Sequence, residues 1–86
     1  LAERAVQLGG TAYGTVRMAA AASKLKEYPA DLTSGAEHVA ALSDALAAFG
    51  KSVRAAIDVA DEKGDADTAD LFTEISRGVD KWLWFV

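Results

Sequence analysis

Six acidic side chains crowd thirteen positions of this chain: Asp58, Asp61, Glu62, Asp65, Asp67 and Asp70, with Lys63 alone opposing them. Carboxylates offer hydrogen-bond acceptance and a negative field. At a helix start they accept from orphan backbone N–H groups and oppose the positive end of the dipole, so capping and a solvated acidic face account for the cluster in ordinary terms. His38 is the single histidine. A lone helical histidine with no companion ligand makes a poor metal site and reads as structural or solvated. Tyr13, Tyr28 and Met18 read as packing residues, not redox relays. Gly9-Gly10 falls inside a helical stripe and is not a phosphate loop. No cysteine is present, which removes disulfides and thiolate metal sites.

Helices must position these groups. The stretch Asp65 to Val86 opens on acids and closes on aromatics. Asp65 or Asp67 sits where an N-cap belongs, and Asp70 is expected in the first turn. Ala69, Phe72, Ile75, Val79, Leu83 and Val86 recur at intervals of three and four, one apolar face of a helix. Glu74, Arg77 and Lys81 are spaced to ladder along a neighbouring face. Trp82, Trp84 and Phe85 concentrate aromatic surface at the end, and burial is expected for it. The cleanest stripe is Val39, Leu42, Leu46, Phe49, Val53, Ile57 and Ala60, which predicts a helix over 34–63. Ser34 with Glu37 has the capping-box pattern, Gly64 the place of a stop, and Gly50 that of a close helix contact. A tight turn then leads to a helix over 67–86, antiparallel to its predecessor.

Upstream, Leu1, Ala5, Leu8, Ala12, Val16 and Ala19 form a stripe that predicts a helix over 1–22. Gly9, Gly10 and Gly14 interrupt it, each at about 0.5–1 kcal/mol against alanine. Either the helix breaks there or another backbone approaches closely. The stripe stays in phase across them, which favours close approach. Residues 23–32 read as a connection, because Tyr28-Pro29 cannot continue a helix. The opening residues, Leu1-Ala2-Glu3-Arg4, lack both a signal-peptide pattern and a helix-start signal, so the sequence is expected to begin inside a helix.

With 86 residues, one domain with a thin core is expected, since folding at this size buries only about 60–65% of the unfolded surface. Hydrophobic residues make up 51%, but alanine is the largest share and buries little area, so the chain is expected to need partners. The net charge of −4 and the scattered lysines and arginines weigh against a nucleic-acid surface on this segment. No apolar stretch has membrane-spanning length. Strand alternation is absent. The fold class is all-α: three long helices with short links, one element short of a four-helix bundle.

Three stretches in the right order resemble one family. Ala2-Glu-Arg-Ala-Val-Gln-Leu-Gly-Gly10 resembles the start of the second long helix of the Dps miniferritins, the starvation-induced DNA-protecting proteins. Tyr28-Pro-Ala-Asp31 stands where that family has a Tyr-Pro-x-Asp element, and Asp67 to Phe85 resembles its fourth helix. The resemblance implies a ferritin-like four-helix bundle of which residues 1–86 are the C-terminal portion. It implies a cytoplasmic homo-dodecamer with two-fold and three-fold interfaces. It implies a ferroxidase centre that oxidises Fe(II), usually with peroxide, and stores iron inside the shell.

Only Glu3 carries over as an iron ligand, from the Ala-Glu-Arg motif, and as the one catalytic residue of this segment. The family's remaining ligands, an aspartate and histidines, would precede Leu1. Asp67 and Asp70 match aspartates that line a pore where fourth-helix N-termini meet at a three-fold axis. Repetition about such an axis turns local charge into a focusing field for hydrated cations. DNA compaction, which family members often perform with a lysine-rich tail, is unsupported within this segment. An acidic helical assembly module without metal chemistry is the reading from a different class.

Overall fold

The computed structural model describes residues 1–86 as four helices: α1 (Ala2–Gln7), α2 (Val16–Ala22), α3 (Gly35–Glu62) and α4 (Ala66–Phe85). The tertiary packing is that of α3 against α4. Ser34 accepts from the Glu37 N–H at 3.1 Å while the Glu37 carboxylate reaches back to the Ser34 N–H, so both halves of the capping box at the start of α3 are made. At its other end the Gly64 N–H donates to the Asp61 carbonyl and the Asp65 N–H to the Ala60 carbonyl, a Schellman closure with Gly64 at φ +72°. Asp65 then caps α4 at once, its side chain accepting from the Thr68 N–H. Three residues therefore end one helix and start the next, which leaves α3 and α4 no choice but to lie side by side.

Val53 and Ala60 of α3 are buried against Ala69 and Val79 of α4, with Ser76 enclosed among them. Gly50 is buried too, and a Cβ there would stand 3.5 Å from Val79 Cγ1 and 3.3 Å from Arg54 Nη1. The two helices are thus in close approach at Gly50, as its place in the stripe suggests. Across the outer edge Arg54 pairs with Asp80 at 3.4 Å, an exposed contact of small energetic weight. Gly64→Ala tests the turn cleanly. Nothing lies within 4 Å of the added Cβ, so only the left-handed backbone is strained. The expected loss is about 1 kcal/mol, read as a lower denaturation midpoint. An unchanged midpoint would show that the turn relaxes.

The helix expected over 1–22 is interrupted. Residues 8–15 are not helical, and α1 closes on the first two glycines. The Gly9 N–H donates to the Val6 carbonyl and the Gly10 N–H to the Ala5 carbonyl, with Gly9 at φ +89°. This is a second Schellman closure, and Gly10 lies against its own helix, not another backbone. Thr15 then caps α2 by accepting from the Met18 N–H at 3.2 Å. No residue of α1 or α2 is buried. Without buried area to offset three glycines, local capping chemistry prevails over the in-phase stripe.

Two expectations for α4 also change. Trp82, Trp84 and Phe85 are exposed, Trp84 at 79%. Trp84 and Phe85 stack edge to face with centroids 5.4 Å apart, and Lys81 lies 5.8 Å over the Phe85 ring. Glu74 and Arg77 form no ion pair, so the ladder is not made.

Candidate functional site

Glu3 lies one residue inside α1, on its exposed surface. Its carboxylate makes no hydrogen bond or ion pair within the chain, although an arginine follows it directly. Consecutive helical positions do not face each other, and Arg4 points to other partners. Its Nη2 meets Asp65 Oδ1 at 2.8 Å and its Nε donates to Thr68 Oγ1 at 2.9 Å, while Nη1 reaches Gln7 Oε1 at 3.3 Å. Arg4 and Asp65 retain 21% and 27% of their side-chain exposure, so the pair is shielded well beyond an ordinary surface bridge.

The same carboxylate accepts from the Thr68 N–H at 3.1 Å through Oδ1, and from the Thr68 hydroxyl through Oδ2. The Thr68 hydroxyl and N–H, with the Arg4 guanidinium added, hold the Asp65 carboxyl below the ordinary aspartate value. A depressed acid stabilises the fold in its ionised form. That contribution is in place above the ordinary aspartate range and is lost as the pH falls through the lowered value.

With Asp65 as the cap, Asp67 and Asp70 take other places. Asp67 falls in the first turn of α4, and Asp70 lies one turn further on instead of in the first. Both are exposed and neither has a hydrogen-bond or ion-pair partner. Three positions apart, they share one face at the positive end of the helix. The structure thus separates the acids that sequence alone could not sort: Asp65 does the capping, leaving Asp67 and Asp70 free of it.

His38 serves the fold. Its Nε2 donates to the Leu32 carbonyl at 3.2 Å, which leaves Nδ1 to accept from the Tyr28 hydroxyl at 2.7 Å. The rings stack at 5.9 Å. This pins the Tyr28-Pro29 connection to the first turn of α3. Nowhere in the chain do three or more His, Asp or Glu side chains converge to hold a metal ion. Glu3 is not joined by Asp67 or Asp70 in any such group. The Arg4 clasp is the site feature that sequence reading missed. Asp65 and Thr68 have cap spacing, but nothing in the sequence marks Arg4, 61 positions away, as their partner.

A ferritin-like domain model matches residues 1–86. The chain is 46% identical over its whole length to a "DNA protection during starvation protein" of Agrobacterium fabrum, of which it covers 53%. It is 31% identical to a protein of the same name from Brevibacillus brevis, covering 57%. The crystal structure of Dps from Staphylococcus aureus superposes with a TM-score of 0.87 at 32% identity, over 98% of this chain and 56% of that one. The chain spans little more than half the length of the relatives it matches. No helix is long and apolar enough to cross a membrane.

Proposed function

The chain belongs to the ferritin-like family, in its Dps branch, and we propose that it forms part of an iron-oxidising, iron-storing shell that protects against Fe(II) and peroxide. The observation that carries this reading is the unengaged carboxylate of Glu3, exposed on α1. Glu3 is a hard oxygen donor of the kind Fe(II) prefers. One carboxylate does not make a centre, and no donor group of this chain completes it. The remaining ligands come from outside residues 1–86, in a homo-dodecamer whose two-fold interfaces build the centre. Fe(II) is the substrate, and peroxide accepts its electrons.

Asp67 and Asp70 serve entry in this reading. Brought together around a three-fold axis, their charges focus a hydrated cation inward without binding it tightly. Protection of DNA, which gives the relatives their names, then follows from removing Fe(II) and peroxide. It needs no DNA contact by this acidic segment.

Glu3→Ala, made in the full-length protein, is the test. Fe(II) oxidation slows while the particle keeps its size, because the substitution removes a ligand and touches no buried residue. An initial rate equal to that of the unsubstituted protein would return Glu3 to a solvated helical role.

A further inference from the structure

We propose that Tyr28 and His38 form a one-electron donor site: the Tyr28 phenol gives an electron to a diffusible oxidant while His38 Nδ1 takes the phenolic proton. A phenol that loses an electron becomes a strong acid, so the electron leaves readily only where a base receives the proton at once. Such a base must lie within hydrogen-bond reach of that proton. The Tyr28 hydroxyl stands 2.7 Å from His38 Nδ1. The tautomer is fixed by the other ring nitrogen. Nε2 meets the Leu32 carbonyl at 3.2 Å, and a carbonyl only accepts, so Nε2 carries the hydrogen and Nδ1 presents its lone pair to the phenol.

The other oxidisable aromatic side chains lack this arrangement. Tyr13, Trp82 and Trp84 are exposed, and no base meets their O–H or N–H. Tyr28 reads from the sequence as a packing residue, but the structure gives it both a base and access: it keeps 45% of its exposure, so a small oxidant reaches its ring from solvent. The pair is also preorganised. Its rings stack at 17° with centroids 5.9 Å apart, Pro29 restricts the backbone next to Tyr28, and His38 belongs to the first turn of a capped helix.

The step balances within the pair. Tyr28 loses one electron to the oxidant and its O–H bond breaks, while an N–H bond forms at Nδ1. The products are a neutral phenoxyl radical and an imidazolium, whose Nε2–H still donates to the Leu32 carbonyl. The start of α3 disfavours added positive charge, so the proton goes back to the phenoxyl oxygen when a thiolate in solution supplies the electron. The hydroxyl radical that forms where Fe(II) reduces peroxide is an oxidant of the required class. Only that source depends on the iron reading; the donor site itself does not.

The experiment therefore supplies its own oxidant, photogenerated tris(bipyridine)ruthenium(III), to full-length protein free of iron. Oxidant decay is followed by absorption, and the phenoxyl radical by its electron paramagnetic resonance. The unsubstituted protein is expected to show a fast phase that yields a tyrosyl signal and slows in D2O. Tyr28→Phe is expected to abolish that phase, and Tyr13→Phe to leave it in place. His38→Gln offers the phenol a carbonyl acceptor but no base, and is expected to slow the phase several-fold. A fast phase that survives Tyr28→Phe would place the donor elsewhere and overturn the proposal. An unchanged rate in His38→Gln would overturn it too, because Nδ1 would then not be the proton acceptor. Should His38→Gln fail to assemble, the unsubstituted protein decides: a fast phase of equal rate in water and D2O overturns the coupled transfer.

Discussion

Sedimented as purified, the 86-residue chain will run as associated species and not as a compact monomer. The structure exposes 6833 Å². A compact monomer of 9.0 kDa should expose about 4,900 Å². The excess, about 1,900 Å² on one chain, is roughly twice the ~800 Å² that each partner buries in a standard protein interface. The radius of gyration agrees: 15.1 Å against about 12 Å for a compact chain of this length. The buried hydrophobic residues are Val53, Ala60, Ala69 and Val79, two of them alanines. Meanwhile Leu42, Phe49, Trp82, Trp84 and Phe85 remain exposed. Two helices joined by one tight turn bury too little to offset the entropy of ordering the rest. Self-association or loss of helix on dilution is the expected pattern in sedimentation and circular dichroism. A monomer melting in one cooperative step would contradict it.

The second large effect is expected from Asp67→Asn with Asp70→Asn in the assembled full-length protein. Capping and cation entry predict different signatures, and the structure sharpens the contrast. Asp65 already accepts from the Thr68 N–H, so neutralising Asp67 and Asp70 removes no cap. Only a dipole interaction of about 0.3–1 kcal/mol near the exposed helix start is lost. On the proposed reading the same changes strip charge from every copy around a three-fold axis. Iron uptake then slows several-fold, with the larger effect at low ionic strength, where screening is weak. Stopped-flow iron oxidation at two salt concentrations, beside a melting curve, separates the outcomes. A rate that falls equally at both salts would remove the entry role. So would a large drop in melting temperature.

The local chemistry of α3 and α4 is legible in the sequence. Ser34 and Glu37 close the capping box, Gly64 ends α3 and Asp65 opens α4. Each of these interactions spans six residues or fewer, so its partners can be named without knowing the fold. The stripe centred on Val53 and the stripe ending near Val79 are likewise legible, because helical periodicity reports directly which face is apolar. The roles proposed for Glu3, Asp67 and Asp70 rest on family resemblance, since by pattern alone a helical glutamate and a cluster of acids at a helix start read as solvated and capping groups.

Tertiary structure decided the rest. The glycines at 9, 10 and 14 were compatible with a continuous helix or a broken one. The break prevails because no neighbour buries α1 or α2, a fact that no local pattern contains. The aromatic end is exposed for the same reason: a sequence shows what needs burial but not what covers it. Of the clustered acids, Asp65 alone is paired, and with an arginine 61 positions away. A polar contact of that separation has no periodicity and no spacing rule. It exists only where the turn between α3 and α4 and the short helix α1 meet in space, and there it settles which carboxylates are occupied and which stay free.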